Sequence, residues 1–379
     1  MKPRERVLTA FDHREPDRVP VDMGGTVASL EERAYTALKE HLGLPWRGER
    51  VDHIGVMTTF DDEILRMFNV DFRRVILKPP KGWTEKRFPD GSWQNEWGLR
   101  FKKVGYYNEW VWNKPLEKIQ DVDKIEEHTW PDLEAPGRVE GLEKEAKELE
   151  DAGWAVSTGI IFGGIFEIAW WLRGFDTFIV DLSSRQKLAH ALLDKITDIC
   201  ILLFDQYLDA VGGHVQMVMF SDDYGGQTHM LLSPRLFREY IKPRLKRVFD
   251  LFHRKTDARI FLHSCGTIVP IIPDLIEIGL DVLNPVQPLA KDMDSKGLKE
   301  KFGDKLIFHG GVDIQRALPF GTIEEVQAEV KRRIDAFAPG GGYVFGPAHN
   351  IQPEIAPEKI ITMYKAAETY GRYPIGLTA

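Results

Sequence analysis

Short β-branched and apolar runs alternate along the chain with longer segments whose apolar positions recur every three to four residues. Runs of the first kind occur at VPVDM (19–23), FRRVIL (72–77), WAVSTGI (154–160), VQMVMF (215–220), RIFLH (259–263), VLNPVQ (282–287), LIFHG (306–310) and YVFGP (343–347). Between them lie LEERAYTALKEHLG, RQKLAHALLDKITDICILLFDQYLDAVG, SPRLFREYIKPRLKRVFDLFHRKTD, VPIIPDLIEIG and TIEEVQAEVKRRIDAFA. That alternation reads as parallel strands joined by helical crossovers. Ser233-Pro234, and Thr322 followed three residues later by Glu325, are helix-entry signals. Eight strand–helix units predict a (β/α)8 TIM barrel, an α/β fold, spanning 1–379 as a single domain with helices at its N-terminus.

Chemistry on such a barrel gathers at the C-terminal ends of the strands. The predicted ends are followed by Gly24-Gly25, Lys78, Gly163-Gly164, Ser221-Asp222-Asp223, Cys265-Gly266, Gln287, Gly311-Val312-Asp313 and His349. Polar, glycine and ligand-type residues therefore fall on one rim. Polar, turn-rich strand ends are common in α/β proteins, so the agreement supports the barrel without deciding it. Residues 83–130 break the alternation: they hold six of the ten tryptophans and predict an antiparallel hairpin turning at Asp90-Gly91, inserted between barrel strands two and three. Such a hairpin either packs on itself or covers the rim, with Trp97, Trp110 and Trp112 as anchors.

Composition narrows the function classes. A formal charge of −8 over 379 residues provides no basic field for non-specific nucleic-acid binding. The charged N-terminal stretch MKPRERVLTAFDHREPDRVP reads neither as a signal peptide nor as an anchor, and no apolar run approaches membrane-spanning length. The expectation is a cytoplasmic protein with no nucleic-acid or membrane partner. Two cysteines are too few for a disulfide framework, and Cys200, in an apolar helical run, reads as a small core side chain.

Cys265 is different. In FLHSCG (261–266) it follows His263 by two positions, and on a strand residues i and i+2 share a face. An imidazole and a thiol aimed at one point suit zinc, with Gly266 letting the backbone turn away; a buried histidine beside a buried thiol would give the same pattern. A third metal ligand would be His349 in FGPAHN, while His309 lies within a strand and reads as a supporting core residue. His190 and His253 lie on amphipathic helices and read as solvated. In FSDDYGGQ (220–227), adjacent residues of an extended chain point to opposite sides. At most one of Asp222 and Asp223 would then face the mouth, as a metal ligand, an orienter of ligands or a general acid or base, while the other would cap or brace the loop; an Asx-type turn closed with Gly225-Gly226 gives the same pattern. Gly163-Gly164 leads into a helix bearing Glu167, Trp170 and Trp171, whose N-terminus would favour an anionic group. No P-loop and no GxGxxG follows a first strand.

The blocks DDYGGQ, SPRLFREYIKPRLKRVFD, IFLHSCGTIVPIIPDLIEIGLDVLNPVQP, FHGGVDIQRALPFGTIEEV and GYVFGPAHNIQPEIAPEKI resemble successive parts of the uroporphyrinogen decarboxylase superfamily, itself built on a (β/α)8 barrel. The decarboxylases carry an arginine-rich RQAGRY-type block for the substrate's carboxylates, whereas the stretch here is DMGGTVASLEERAY. The other branch comprises cobalamin-dependent methyltransferases, whose zinc is held by a His-x-Cys pair and a distant third residue, usually cysteine. His263 and Cys265 match the pair, and His349 stands where that cysteine would be.

The resemblance implies a zinc-dependent methyltransferase that demethylates a small methylated donor, most plausibly a methoxyaromatic, and passes the methyl group to a corrinoid protein carrying cobalamin. Asp222 or Asp223 would orient ligands or protonate the leaving oxygen, and Glu167, Trp170, Trp171, Tyr224 and Gln287 would line the pocket. A homodimer is compatible with this reading. The alternatives are a decarboxylase-like carboxy-lyase acting on a smaller acid, and a non-catalytic corrinoid- or ligand-binding barrel.

Overall fold

A computed structural model describes residues 1–52, 55–105, 107–110 and 113–375. In chain order its strands are β1 (Phe72–Val75), β2 (Lys86–Arg87), β3 (Trp93–Gln94), β4 (Arg100–Val104), β5 (Tyr107–Trp110), β6 (Ala155–Thr158), β7 (Met217–Ser221), β8 (Arg259–His263), β9 (Val282–Asn284), β10 (Ile307–Val312) and β11 (Tyr343–Pro347). Seven form one parallel sheet in the order β1-β6-β7-β8-β9-β10-β11. Helices cross between most successive pairs, the longest being Gln186–Val211.

The eighth position belongs to residues 19–23, held by backbone bonds on both sides. Asp22 N–H donates to the Phe345 carbonyl (2.9 Å), Phe345 N–H donates to that of Pro20 (2.8 Å), and Asp71 N–H donates to that of Val21 (2.9 Å). Pro20 has no N–H, so no regular ladder forms here. The Asp71 side chain compensates by accepting from the Val21 N–H at 2.9 Å. The same carboxylate, fully buried, pairs with Arg6 and Arg18. The predicted TIM-barrel-like fold is thus present, closed at one seam by a clamp centred on Asp71 rather than by an eighth full strand.

Alternation along the strands gives the interior two layers. Phe72, Ala155, Met217, Phe261, Val282, Ile307 and Val344 form an apolar inner cluster, completed by Val7 and Phe11 of the N-terminal helix Pro3–Phe11. Two residues further along, on the same face of their strands, stand Arg74, His263, Asn284 and His309. All three of the latter are buried. An apolar floor therefore carries a polar layer near the C-terminal mouth, and the outer strand faces pack against the crossover helices in the main core.

The 83–130 insertion is larger than a hairpin. It contains a four-stranded antiparallel sheet, β2-β3-β4-β5, with Gly91 at positive φ in its first turn. Trp97 is buried and stacks on Phe162 at 5.9 Å, which fixes the insertion to the barrel rim. The expected anchor Trp112 and the Trp110 side chain lie outside the described residues. Cys200 is buried as expected, and its thiol is pushed up to about 12 by burial. His253 is exposed, but His190 is half-buried and stacks on Tyr240 at 4.5 Å, correcting its expected solvation. Among the described residues no helix is long and apolar enough to cross a membrane.

The clamp makes a prediction. Asp71→Ala leaves Arg18 without its carboxylate at the seam and Arg6 with Asp17 alone, and the expected loss is about 3–5 kcal/mol of unfolding free energy in a urea titration. A loss below about 1 kcal/mol, the scale of an exposed ion pair, would show that the seam does not depend on it.

Candidate metal centre

His263 ends β8, Cys265 follows it, and His349 lies just past β11. One ligand atom from each of the three lies within 4.8 Å of the others. Cys265 Sγ is 3.3 Å from His263 Nε2, and the two imidazole centroids are 5.8 Å apart. Zinc–sulfur and zinc–nitrogen bond lengths imply donor separations of roughly 3.3–3.6 Å around a tetrahedral ion. The His–Cys pair already stands at that spacing, and a small inward shift of His349 would complete three corners. The donor set is compatible with zinc and leaves a fourth position open.

Local structure holds these side chains in place. Gly266 has a φ of +76°, and a Cβ there would lie 2.4–2.6 Å from the Gly225 and Gly226 backbone, so only glycine allows the chain to leave the site at this angle. Cys265 N–H donates to Asp223 Oδ1 at 2.7 Å, and Gly266 N–H donates to the Gln287 side chain at 2.8 Å. His263 Nδ1 is 2.6 Å from Asn284 Oδ1; that oxygen only accepts, so the ring hydrogen is on Nδ1 and Nε2 offers its lone pair toward the thiol. Burial lowers His263, and it lowers His349 to about 4 with help from His263. Burial and the nearby carboxyl groups of Asp223 and Glu167 push the Cys265 thiol well above its ordinary value. Without metal the trio is two neutral imidazoles and a protonated thiol.

The acidic pair divides as the alternation predicts. Asp222 is fully buried and turned away from the mouth. Its two oxygens accept the Phe166 and Glu167 N–H groups, both at 2.9 Å, and the Tyr224 hydroxyl at 2.9 Å. It therefore caps the helix Ile165–Arg173 from a neighbouring strand. Gly164 permits this, since a Cβ there would meet Asp222 at 2.2 Å. The helix terminus expected to favour an anion is taken by Asp222 itself. Asp223 faces the site instead, 3.8 Å from His263 Nε2. Burial drives Asp222 up to about 7 against the pull of its three hydrogen bonds. Burial, then Asp223 and Asp222, raise Glu167 well above its ordinary value, which favours its protonated form.

Two cavities meet at the trio. One, of about 450 Å³, reaches His263, His349, Asp223 and Glu167 beneath a wall of Trp97, Phe162 and Trp171, with Trp83, Glu85 and Glu96 contributed by the insertion. The other, of about 480 Å³, is lined by Cys265, His349, Gln287 and Phe320, the last 82% exposed. Of the expected pocket residues, Glu167 and Trp171 line the first cavity and Gln287 the second. Trp170 packs edge-on against Trp171 and Phe175 and lines neither, and Tyr224 is buried behind the wall holding Asp222. Sequence reasoning missed Asn284, Arg50 and Asn350. The first had a signal: an asparagine inside an apolar strand, where that residue type is depleted.

The family model described as uroporphyrinogen decarboxylase (URO-D) matches residues 105–370. The chain is 26% identical over 225 residues to a uroporphyrinogen decarboxylase from Magnetococcus marinus, a match covering 58% of this chain and 57% of that protein. It is 24% identical over 277 residues to one from Serratia proteamaculans, covering 69% and 72%. The chain thus spans little more than half the length of the first of these relatives. Among solved structures, a methyltransferase from Methanosarcina mazei superposes with a TM-score of 0.65 at 17% identity, covering 98% of this chain and 99% of that one, which establishes a shared fold.

The charge states predict the proton balance of metal binding. With both histidines neutral and the thiol protonated, zinc uptake near pH 7 should release about one proton per ion, measured by calorimetry in buffers of different ionisation enthalpy. No proton release, or equal zinc affinity in Cys265→Ser, would contradict a thiolate ligand.

Proposed function

The chain belongs to the uroporphyrinogen decarboxylase family, and from that premise we propose that it is a zinc-dependent methyltransferase, demethylating a small methoxyaromatic compound and passing the methyl group to a corrinoid protein. The observation that carries the proposal is the position of the His263–Cys265–His349 donor set where an aromatic-walled cavity meets a second, separate cavity. A methyl transfer needs the leaving group on one side of the carbon and the acceptor on the other. Two cavities converging on one point supply those two approaches.

The residues divide the work. Trp97, Phe162 and Trp171 offer flat apolar surfaces to an aromatic ring. Zinc held by His263, Cys265 and His349 would supply Lewis acidity toward the ether oxygen. Glu167, kept protonated, is positioned to give its proton to the departing oxygen, a role that sequence reasoning gave to Asp222 or Asp223. Asp222 instead fixes the helix that carries Glu167, and Asp223 orients the Cys265 backbone. The corrinoid partner would approach over the second cavity, where Phe320 projects into solvent.

The named relatives favour decarboxylation as the second reading. The first cavity argues against a substrate with many carboxylates: among its described lining residues Arg50 is the one arginine or lysine, while Asp52, Glu85, Glu96, Glu167 and Asp223 are acidic.

The expected result is turnover of a methoxyarene with reduced corrinoid protein as acceptor, lost on zinc removal, and no release of carbon dioxide from small carboxylic acids. Carbon dioxide release without methyl transfer would overturn the proposal. Glu167→Gln should lower the rate by about 10²–10⁴-fold with zinc content unchanged. Because burial and the neighbouring carboxylates raise the Glu167 carboxyl, it keeps its proton to higher pH than an ordinary glutamate and loses it as pH rises through the raised value. The wild-type rate should therefore fall on the alkaline side, and Glu167→Gln should remove that limb. An unchanged limb in the variant would exclude Glu167 as the acid.

A further inference from the structure

We propose that Asp22 and Arg74, on strand positions remote from β8, set the tautomer of His263 through His309 and Asn284. The inference rests on the zinc reading above and adds positioning residues to it. Asp22 is fully buried and meets Arg74 through two contacts, at 3.0 and 2.5 Å. Although burial opposes it, the Arg74 charge together with His309 holds Asp22 well below the usual carboxylate range. Asp22 is therefore a carboxylate that can only accept.

Each remaining link follows from the one before. His309 Nε2 is 2.9 Å from Asp22 Oδ2, so Nε2 carries the hydrogen and Nδ1 is left as an acceptor. Asn284 Nδ2 donates to that Nδ1 at 2.8 Å and to the His309 carbonyl at 3.3 Å. Two acceptors on the same side fix the amide with its nitrogen toward His309. Its oxygen must then face His263 Nδ1, at 2.6 Å, which places the ring hydrogen there and frees Nε2 as a donor to metal. The opposite amide orientation would face N–H groups toward His263 Nδ1 and force the hydrogen onto Nε2, where it blocks coordination. It would also turn the amide oxygen onto the lone pair of His309 Nδ1. None of Asp22, Arg74 and His309 is a metal ligand in this scheme.

Zinc affinity, measured by competition with a chromophoric chelator, tests the relay together with thermal unfolding. His309→Phe keeps the ring's bulk but neither nitrogen, and the expected loss of zinc affinity is about 10- to 100-fold. His309→Gln, which can donate to Asp22 through its amide nitrogen and accept from Asn284 through its oxygen, should retain most of the affinity. A folded His309→Phe that binds zinc like the wild type, or a His309→Gln as weak as His309→Phe, would overturn the proposal. Should His309→Phe fail to fold, nitrogen-15 spectra of the histidines in the metal-free wild-type chain decide. The expected state has hydrogen on Nδ1 of His263 and on Nε2 of His309, and the reverse at either residue contradicts the relay. That reading needs neither zinc nor methyl transfer, so its failure is distinguishable from failure of the function proposed above.

Discussion

Closure of the parallel sheet into a ring is the constraint on which the site depends. In sheet order β8 and β11 are three strands apart, and in a flat sheet their ends would be separated by about 14 Å, three times the strand spacing. In the ring the imidazoles of His263 and His349 stand 5.8 Å apart, facing each other across the mouth. The candidate donor set is thus a property of curvature as much as of residue identity. That gives weight to the seam at residues 19–23, where backbone pairing is thin and Asp71 substitutes a side-chain clamp.

The second constraint is the period of two along each strand. It places an apolar ring of Phe261, Val282 and Ile307 beneath a polar ring of His263, Asn284 and His309, one residue pair per strand. Buried polar groups are tolerable only when satisfied, and these satisfy one another in sequence until the chain of bonds ends on the Asp22–Arg74 ion pair. The same rule separates Asp222 from Asp223: one goes to the back of the wall to hold a helix, the other to the mouth. The resulting crowd of carboxylates makes it costly for all to ionise, which, with burial, is why the Glu167 carboxyl is raised.

Much of this was legible in the sequence because its signals are local. The eight strand positions, the FLHSCG pair, the His349 position after the last strand and the opposed Asp222 and Asp223 each follow from spacing within a few residues. What stayed hidden depends on contacts between distant segments. Nothing near Tyr224 indicates that its hydroxyl holds Asp222, and nothing near Asn284 indicates that His263 lies opposite it across a strand pair. The insertion was legible as antiparallel but not as four strands, since β2 and β3 are two residues each and show no periodicity. Asp22 was visible only as part of a strand; its partners come from 52 and 287 residues away.

The central claim is that barrel closure assembles a mixed nitrogen and sulfur zinc centre from β8 and the end of β11. Zinc-edge X-ray absorption on the zinc-loaded protein tests it most directly. The account predicts one sulfur at about 2.3 Å and nitrogen or oxygen neighbours at about 2.0–2.1 Å, two of them imidazoles. A first shell of light atoms with no sulfur, or one with a single imidazole, would contradict it.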